Sequence, residues 1–285
     1  MNASGRRFVG RAAAGPMSEA TAAPRWRPRL GDPRALLGGL IGIAALLGLW
    51  TLLSRNQPEL LVPSPARTWR AFLDLLADGT LASELSRTLY RAVVGVLLAL
   101  AIGVVWGTIN GYVSWAAAIS RPALSALMAI PPVVFVALGL IWFGPGDAVI
   151  RLVIVLVALP LTVITVQESV QNVDSDLIEM ASAFEIPRFA VLRHVIAPGI
   201  ASPVLAATTV TVGQAIRVAV MVELLSAVDG VGAEVALART NLATADLFAW
   251  TAALIVMVVA VETVLLRPLT ARLLRWRDVP ASNQP

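Results

Sequence analysis

The residues that could do chemistry in this sequence are few, and several reactive types are missing. All 22 basic residues are arginine, cysteine is absent and His194 is the only histidine. A phosphate-binding loop ending in Gly-Lys-Ser/Thr needs a lysine ammonium that reaches the β and γ phosphates, so this chain cannot form that loop intact. A lone histidine supports neither a metal site nor acid–base catalysis. We therefore expect neither ATPase nor other enzymatic activity, and no cofactor or metal, in this chain.

The remaining candidates are charged residues within or near the ends of long apolar runs, where a charge costs about 2.5 to 3.5 kcal/mol to insert. They are Arg91, Arg151, Arg217, Glu223 and Glu262. Arg217 lies well inside its run, and two interpretations are equally open. It could line a translocation path and attract an anion, or it could pair with Glu223 or Glu262. The candidates for the path are Pro131, Pro132, Arg217 and Glu223, although Glu223 fits a role in shaping the outer exit better than one in binding.

These charges must be positioned by membrane helices. The sequence is 58% hydrophobic and 14% charged, and its apolar runs reach the roughly 20 residues that a bilayer requires. We predict an all-α protein with six spans near residues 35–53, 88–112, 123–143, 148–166, 195–227 and 248–270, with a turn at 120–122. Pro131 and Pro132 predict a broken third span, and an amphipathic stretch around Trp69 predicts a helix at the membrane interface. Glycines of the second span recur partly at four-residue spacing, which favours close helix packing.

The arginines predict the topology. They are concentrated in residues 1–34, which we interpret as a disordered cytoplasmic tail, and in a second cytoplasmic tail at 271–285. Six spans in a permease domain at 35–270 place both tails on one side, so the polar stretch at 167–194 is cytoplasmic too. The same clustering leaves no soluble basic face, which argues against a nucleic-acid partner.

The stretch from 174 to 194 reads DSDLIEMASAFEIPRFAVLRH and predicts two short helices with a turn at Pro187. Asp176 and Glu179 resemble a capping box at the first helix. Apolar residues then recur at helical spacing: Leu177, Ile178, Ala181 and Phe184, followed by Phe189, Leu192 and Ile196. An apolar face on a cytoplasmic loop implies a partner surface, either on the protein's own helix ends or on another subunit.

This loop resembles the EAA loop of ATP-driven importer permeases, through Glu179-Met180-Ala181, Glu185 and the VIAP sequence at 195–198. Four further matches resemble the nitrate/sulfonate/taurine branch of that family. They are LVPSP at 61–65, IPP at 130–132, WFG at 142–144 and VEL at 222–224. The order and spacing of these motifs cover most of residues 60–277.

The resemblance implies the six-helix fold of type I importer permeases in a bacterial inner membrane. It also implies two copies of an ATP-binding subunit, which would bind ATP and Mg, a second permease copy in a homodimer, and a periplasmic or lipid-anchored substrate-binding protein. The implied docking residues are Leu177, Glu179, Ala181, Phe184, Glu185, Pro187, Phe189 and Leu192. The implied substrate is a small anion, although the branch also handles heterocyclic vitamin precursors.

The loop departs from the family pattern at three positions. Met180 stands for alanine, Ala197 for leucine and Glu185 for a glycine that allows a positive-φ turn, which costs glutamate more. We therefore expect a turn of a different shape here, with Pro187 helping to fix it, and a correspondingly different fit of the loop to an ATPase.

Two other classes of membrane protein are alternatives. An ion-coupled secondary transporter would use Glu223 and Glu262, but it needs no amphipathic docking loop. A membrane-embedded enzyme would need a cluster of nucleophile and base, and the sequence shows none.

Overall fold

The computed structural model describes residues 33–226, 229–266, 268 and 270, and the regular structure in this part of the chain is helical. The helices are α1 (Pro33–Asn56), α2 (Pro65–Ala77), α3 (Thr80–Tyr112), α4 (Ser114–Ala129), α5 (Pro132–Phe143), α6 (Asp147–Gln171), α7 (Ser175–Ala183), α8 (Arg188–Val191), α9 (Ala197–Ser226), α10 (Val231–Thr240) and α11 (Thr244–Ala260). π-helical turns join α8 to α9 at Leu192–Ile196 and extend α11 at Val261–Leu266. The all-α prediction is confirmed.

The chain divides into two units, the first ending at Leu49 and the second beginning at Trp50. In the first unit, the described residues belong to α1, and the side chains from 37 to 49 are exposed. The second unit holds the other helices. The predicted tails lie outside the described residues, except that α1 already begins at Pro33.

Five helical segments are long and apolar enough to span a membrane, and a bent pair brings the number to six if it crosses once. The five segments are Leu37–Asn56, Thr80–Tyr112, Asp147–Gln171, Phe189–Ser226 and Thr244–Leu266. The pair is α4 with α5, whose axes differ by 96°. Ile130 is extended at the bend because a residue that precedes proline disfavours the helical conformation. The predicted break in the third span is confirmed.

Several boundaries differ from the sequence prediction, and α3 begins at Thr80 rather than near Thr88. The expected turn at 120–122 is wrong, because α4 continues through Pro122 and the turn lies at Val113, whose backbone is extended. Membrane helices tolerate such a proline when neighbouring groups satisfy the freed carbonyl. Helix α6 continues to Gln171 rather than ending near Val166, and α10 forms in a segment for which no helix was predicted.

Close packing in the second unit joins α3 to α6 through glycines. A Cβ atom at Gly103 would lie 2.6 Å from a methyl carbon of Thr162, and one at Gly107 would lie 2.6 Å from the Val163 carbonyl oxygen. Gly95 and Gly111 face α6 in the same way. Lipid offers little hydrophobic driving force between helices, so this close van der Waals contact stabilises the pair. The predicted role of the glycine spacing is confirmed.

Helix α2 confirms the predicted amphipathic helix after the first span. Ser64 caps it by accepting a hydrogen bond from the Arg67 amide, and Pro65 occupies its first position, where no amide hydrogen is needed. Phe72 and Leu75 pack against a cluster that contains Trp250. Its location at the membrane interface stays a prediction.

Candidate functional site

The loop between α6 and α9 folds as two short helices, as the sequence predicts. Helix α7 is capped by Asp174, whose carboxylate accepts a hydrogen bond of 3.0 Å from the Asp176 amide. The predicted capping box, with Asp176 as the cap, is wrong. The cap is Asp174, two residues earlier, and Asp176 already lies in the first turn of α7. A preceding aspartate reaches the free amides of that turn more directly.

A positive-φ residue ends α7 at the position of the family glycine, so the expectation of a differently shaped turn is wrong. Glu185 has φ 51°. Its amide donates to the Ser182 carbonyl at 3.0 Å, and the Ile186 amide donates to the Ala181 carbonyl at 2.9 Å. These two bonds form a Schellman motif, which usually places glycine at this position. Glutamate in this conformation costs about 1 to 2 kcal/mol.

The loop presents an apolar surface, which we call the docking surface: Leu177, Met180, Phe184, Ile186, Phe189 and Leu192. Phe184 and Phe189 are 75% and 72% exposed, which is unusual for side chains of this size. Glu179, Glu185 and Pro187 are also exposed. Ala181 is buried, so this predicted docking residue lies beneath the surface.

Two depressions adjoin the docking surface. A groove of 960 Å³ runs between the end of α3 and the turn after α7, and Thr108, Ile109, Tyr112, Glu185, Phe189 and Leu192 are among its walls. A cleft of 540 Å³ lies between the ends of α6 and α9 and is lined in part by Glu168, Ser169, Asn172 and Asp174. The groove is mainly apolar, and the cleft has a larger share of polar lining.

A buried ion-pair cluster lies at the other end of α3, with Arg91 about 30 Å along the helix axis from Tyr112 at 1.5 Å per residue. The Arg91 guanidinium donates to Glu223 Oε1 at 2.8 Å, to Asp147 Oδ1 at 2.8 Å and to the Asp229 carbonyl at 2.9 Å. It also pairs with the Asp229 carboxylate. The expectation that Arg91 needs a partner is confirmed, but the sequence did not identify Asp147 or Asp229 as partners.

One carboxylate of this cluster and two neighbouring side chains cap the start of α10, where backbone amides lack helical partners. The Gly230 amide donates to Glu84 at 2.6 Å, and the Val231 amide donates to the Thr88 hydroxyl at 3.0 Å. The Gly232 amide donates to Glu223 at 3.1 Å. Negative charge is favourable at a helix N-terminus. Sequence reasoning missed Glu84 and Thr88, since neither a hydroxyl nor a carboxylate near a span end signals such a cap by itself.

Charge and burial shift the pKa of two groups outside the spans. A hydrogen bond from Arg91 lowers the pKa of the Asp229 carboxyl below its ordinary value, and the nearby charge of Arg87 acts in the same direction. Burial raises the pKa of Glu234, and the charge of Glu84 adds to that rise. The cluster therefore favours an ionised Asp229.

The four candidates for the translocation path have different environments. Glu223 is fully buried in the ion-pair cluster, so it lines no open path in this conformation. Of the interpretations left open for Arg217, pairing with Glu223 is wrong, because Glu223 pairs with Arg91. Arg217 is exposed on α9, one turn after the exposed Gln214. No carboxylate of the described residues lies within 4.0 Å of its guanidinium. Pro131 and Pro132 lie at the bend between α4 and α5.

Residues 95–275 match the family described as "Binding-protein-dependent transport system inner membrane component". The chain is 26% identical to SsuC of Bacillus subtilis, named as an aliphatic sulfonates transport permease protein, over 84% of this chain and 87% of SsuC. It is 27% identical to the taurine transport system permease protein TauC of Escherichia coli, over 88% and 93% of the two chains. It is 33% identical to the riboflavin transport system permease protein RibX of Chloroflexus aurantiacus, over 84% of this chain and 90% of RibX.

A solved structure has the same fold. A chain of the MetNI methionine ABC transporter in an inward-facing conformation superposes with a TM-score of 0.52 at 17% identity, covering 72% of this chain and 96% of that one. At this identity the likeness concerns the fold, which is that of a type I permease.

Proposed function

Because the chain belongs to the family of binding-protein-dependent transport system inner membrane components, we propose that it is the permease of an importer for a small organic anion of the sulfonate or taurine type. Two copies of the chain would form the pathway in an inner membrane, with both termini in the cytoplasm. Two separate ATPase subunits would bind ATP and Mg, and an external binding protein would deliver the substrate. The observation that carries this proposal is the docking surface of exposed aromatic side chains on a family-matched loop.

The helical connection from the loop suggests how ATPase movement reaches the pathway. Helix α8 passes through the π-helical turn Leu192–Ile196 directly into α9, so residues 188–226 form one helical segment. This segment carries Phe189 of the docking surface at one end and Arg217 further along. In the proposed mechanism, ATPase closure moves α8, and α9 moves with it because no flexible loop separates them.

The preference for an anion rests on Arg217. An exposed arginine within a span is costly next to lipid, so it should face protein or a watery path. Its guanidinium carries no ion pair in the described part of the chain and is free to bind a sulfonate or carboxylate. The names of SsuC and TauC agree with such a substrate. A flavin-type heterocycle is the second candidate, because RibX is 33% identical.

The first test is co-purification of the tagged chain from its native membrane beside a Glu179→Arg variant. Glu179 is exposed on α7, so the substitution should leave the fold intact. It reverses the charge of a predicted docking residue, which should weaken binding of an ATPase subunit. We expect an ATPase to accompany the parent chain and to be lost from a well-folded variant. If no ATPase accompanies either chain and transport follows an ion gradient, the secondary-transporter alternative replaces this proposal.

The second test measures uptake of taurine and riboflavin in proteoliposomes that contain the complete transporter. Arg217→Ala should reduce uptake of the anion at least tenfold, while Gln214→Ala, one turn away on the same face, should change it less. Unchanged taurine uptake by a correctly folded Arg217→Ala variant would remove the argument for an anion.

A further inference from the structure

A crevice of 710 Å³ lies between the second half of α3 and the first half of α4. Its walls are mainly apolar, and they include Val105, Trp115 and Ile119, whose side chains are well exposed. No residue of the docking surface and none of the four candidates for the translocation path lines it. The crevice is therefore separate from the sites described above.

Three polar side chains in the crevice wall form a hydrogen-bonded chain. The Trp106 indole Nε1 donates to Ser120 Oγ at 2.8 Å, and the Ser120 hydroxyl donates to Asn110 Oδ1 at 3.1 Å. An indole nitrogen only donates, so the Ser120 oxygen accepts from it and its own hydrogen is available for Asn110. The chain therefore orients the Asn110 carboxamide, with its oxygen toward Ser120.

This orientation leaves the amide nitrogen of Asn110 without an acceptor. Asn110 is 1% exposed, and its Nδ2 atom has no hydrogen-bond partner among the described residues. An unpaired buried donor is unfavourable, and in a bilayer core no water is available to accept from it. Because Asn110 belongs to the crevice wall, a molecule that occupies the crevice can supply the acceptor.

The position of Asn110 along α3 indicates its depth in the membrane. At 1.5 Å per residue, Asn110 lies about 29 Å along the helix axis from Arg91 of the ion-pair cluster. The residues between 92 and 109 carry no charge, and the hydrocarbon core of a bilayer is about 30 Å thick. Asn110 therefore lies at the boundary between hydrocarbon and headgroups. The exposed Trp115 nearby agrees with this depth, because tryptophan is enriched there.

We propose that the crevice binds a glycerophospholipid from the membrane leaflet at this end of α3. One acyl chain packs against the apolar walls, and an ester carbonyl oxygen of the glycerol linkage, which lies at the same depth, accepts a hydrogen bond from Asn110 Nδ2. A transmembrane helix would suit the crevice less well, because its backbone carbonyls are already bonded within the helix. The inference does not depend on the proposed function and requires only that the spans lie in a bilayer.

The first test titrates the delipidated full chain in detergent with two phospholipids and counts bound lipid by native mass spectrometry. The two lipids have the same headgroup and chains, but one is ester-linked and the other is ether-linked, and an ether oxygen is a much weaker acceptor than an ester carbonyl. We expect the parent to bind the ester-linked lipid about fivefold more tightly. Asn110→Leu should remove this difference, whereas Asn241→Leu, at an exposed asparagine after α10, should keep it.

The second test fills the crevice with a side chain. Ala116→Phe adds a ring in the crevice wall, whereas Ala118→Phe adds the same ring at an exposed position of α4 that does not line the crevice. We expect Ala116→Phe to bind both lipids at least tenfold more weakly than the parent. Ala118→Phe should bind them like the parent.

Four results would overturn the proposal. Equal binding of the two lipids by the parent would remove the hydrogen bond to Asn110. Unchanged lipid binding by an Asn110→Leu variant that is more heat-stable would show that Asn110 is only an unpaired group in the wall. Equal binding by the two phenylalanine variants would locate the lipid elsewhere. Because the chain has no cysteine of its own, a cross-link from a cysteine introduced at Ile119 to a helix of a second copy would show that protein fills the crevice.

Discussion

Replacing Arg91 by methionine keeps an unbranched side chain but removes the guanidinium from the ion-pair cluster. The Arg91 side chain is 5% exposed and contacts the carboxylates of Asp147, Glu223 and Asp229. Removing one partner of a buried ion pair costs about 3 to 5 kcal/mol, because the remaining charge stays buried without compensation. At about 2 to 4 °C per kcal/mol for a large domain, the thermal midpoint should fall by roughly 10 °C.

The assay is thermal unfolding of the purified chain in detergent, followed by tryptophan fluorescence. Arg151→Met is the matched control, since Arg151 is 35% exposed and its nearest carboxylate oxygen, on Asp147, lies 3.8 Å away. Its pairing should be worth no more than about 0.5 kcal/mol. Adding Glu223→Gln to Arg91→Met should restore part of the loss, because it removes the orphaned carboxylate. The reasoning is refuted if Arg91→Met and Arg151→Met melt together, or if Glu223→Gln is equally damaging with and without Arg91.

Two further predictions concern packing and pH. Gly107→Ala should lower the free energy of unfolding by about 1 to 3 kcal/mol, because the added Cβ would meet the Val163 carbonyl. Gly213→Ala should be tolerated, because nothing lies within 4 Å of an added Cβ at that position. Equal melting temperatures of the two variants would contradict this prediction. The second prediction concerns Asp229, whose pKa in the folded protein is lowered by Arg91. The ionised Asp229 carboxylate therefore stabilises the fold above the ordinary carboxyl pKa, and this stabilisation is lost as the pH falls through the pKa of the folded state. Asp229→Asn should therefore be less stable than the parent near neutral pH, and the difference should shrink on acidification; a constant difference across that range would count against it.

Features set by local sequence were largely predictable. The break at Pro131 and Pro132 follows from steric rules that act on neighbouring residues. The turn at Glu185 is an exception, because glutamate favours a differently shaped turn, yet this residue has the positive φ that usually belongs to glycine. The spans follow from apolar length alone, which does not define where a helix ends, as α4 and α6 show.

The ion-pair cluster was less predictable because its members are distant in sequence. Arg91 was recognised as a charge that needs a partner, but Glu223 lies 132 residues away and Asp229 lies 138 away. Any carboxylate near an outer span end was an equal candidate, and Glu223 was wrongly offered to Arg217. Helix α10 was missed for a related reason: the groups that cap its start belong to α3 and α9, so its own sequence carries no capping residue.

The distances along the chain within this cluster also set an order of events during synthesis. Ribosomes add roughly 5 to 20 residues per second, so Arg91 exists for several seconds before Asp147, 56 residues later, is made. The carboxylates of Glu223 and Asp229 follow only after roughly 7 to 28 seconds at the same rates. Asp147 is therefore the first of these three acids that can neutralise Arg91. Until α6 is made, Arg91 of the second span lacks all three of these acidic partners, and the outer end of the bundle is completed last.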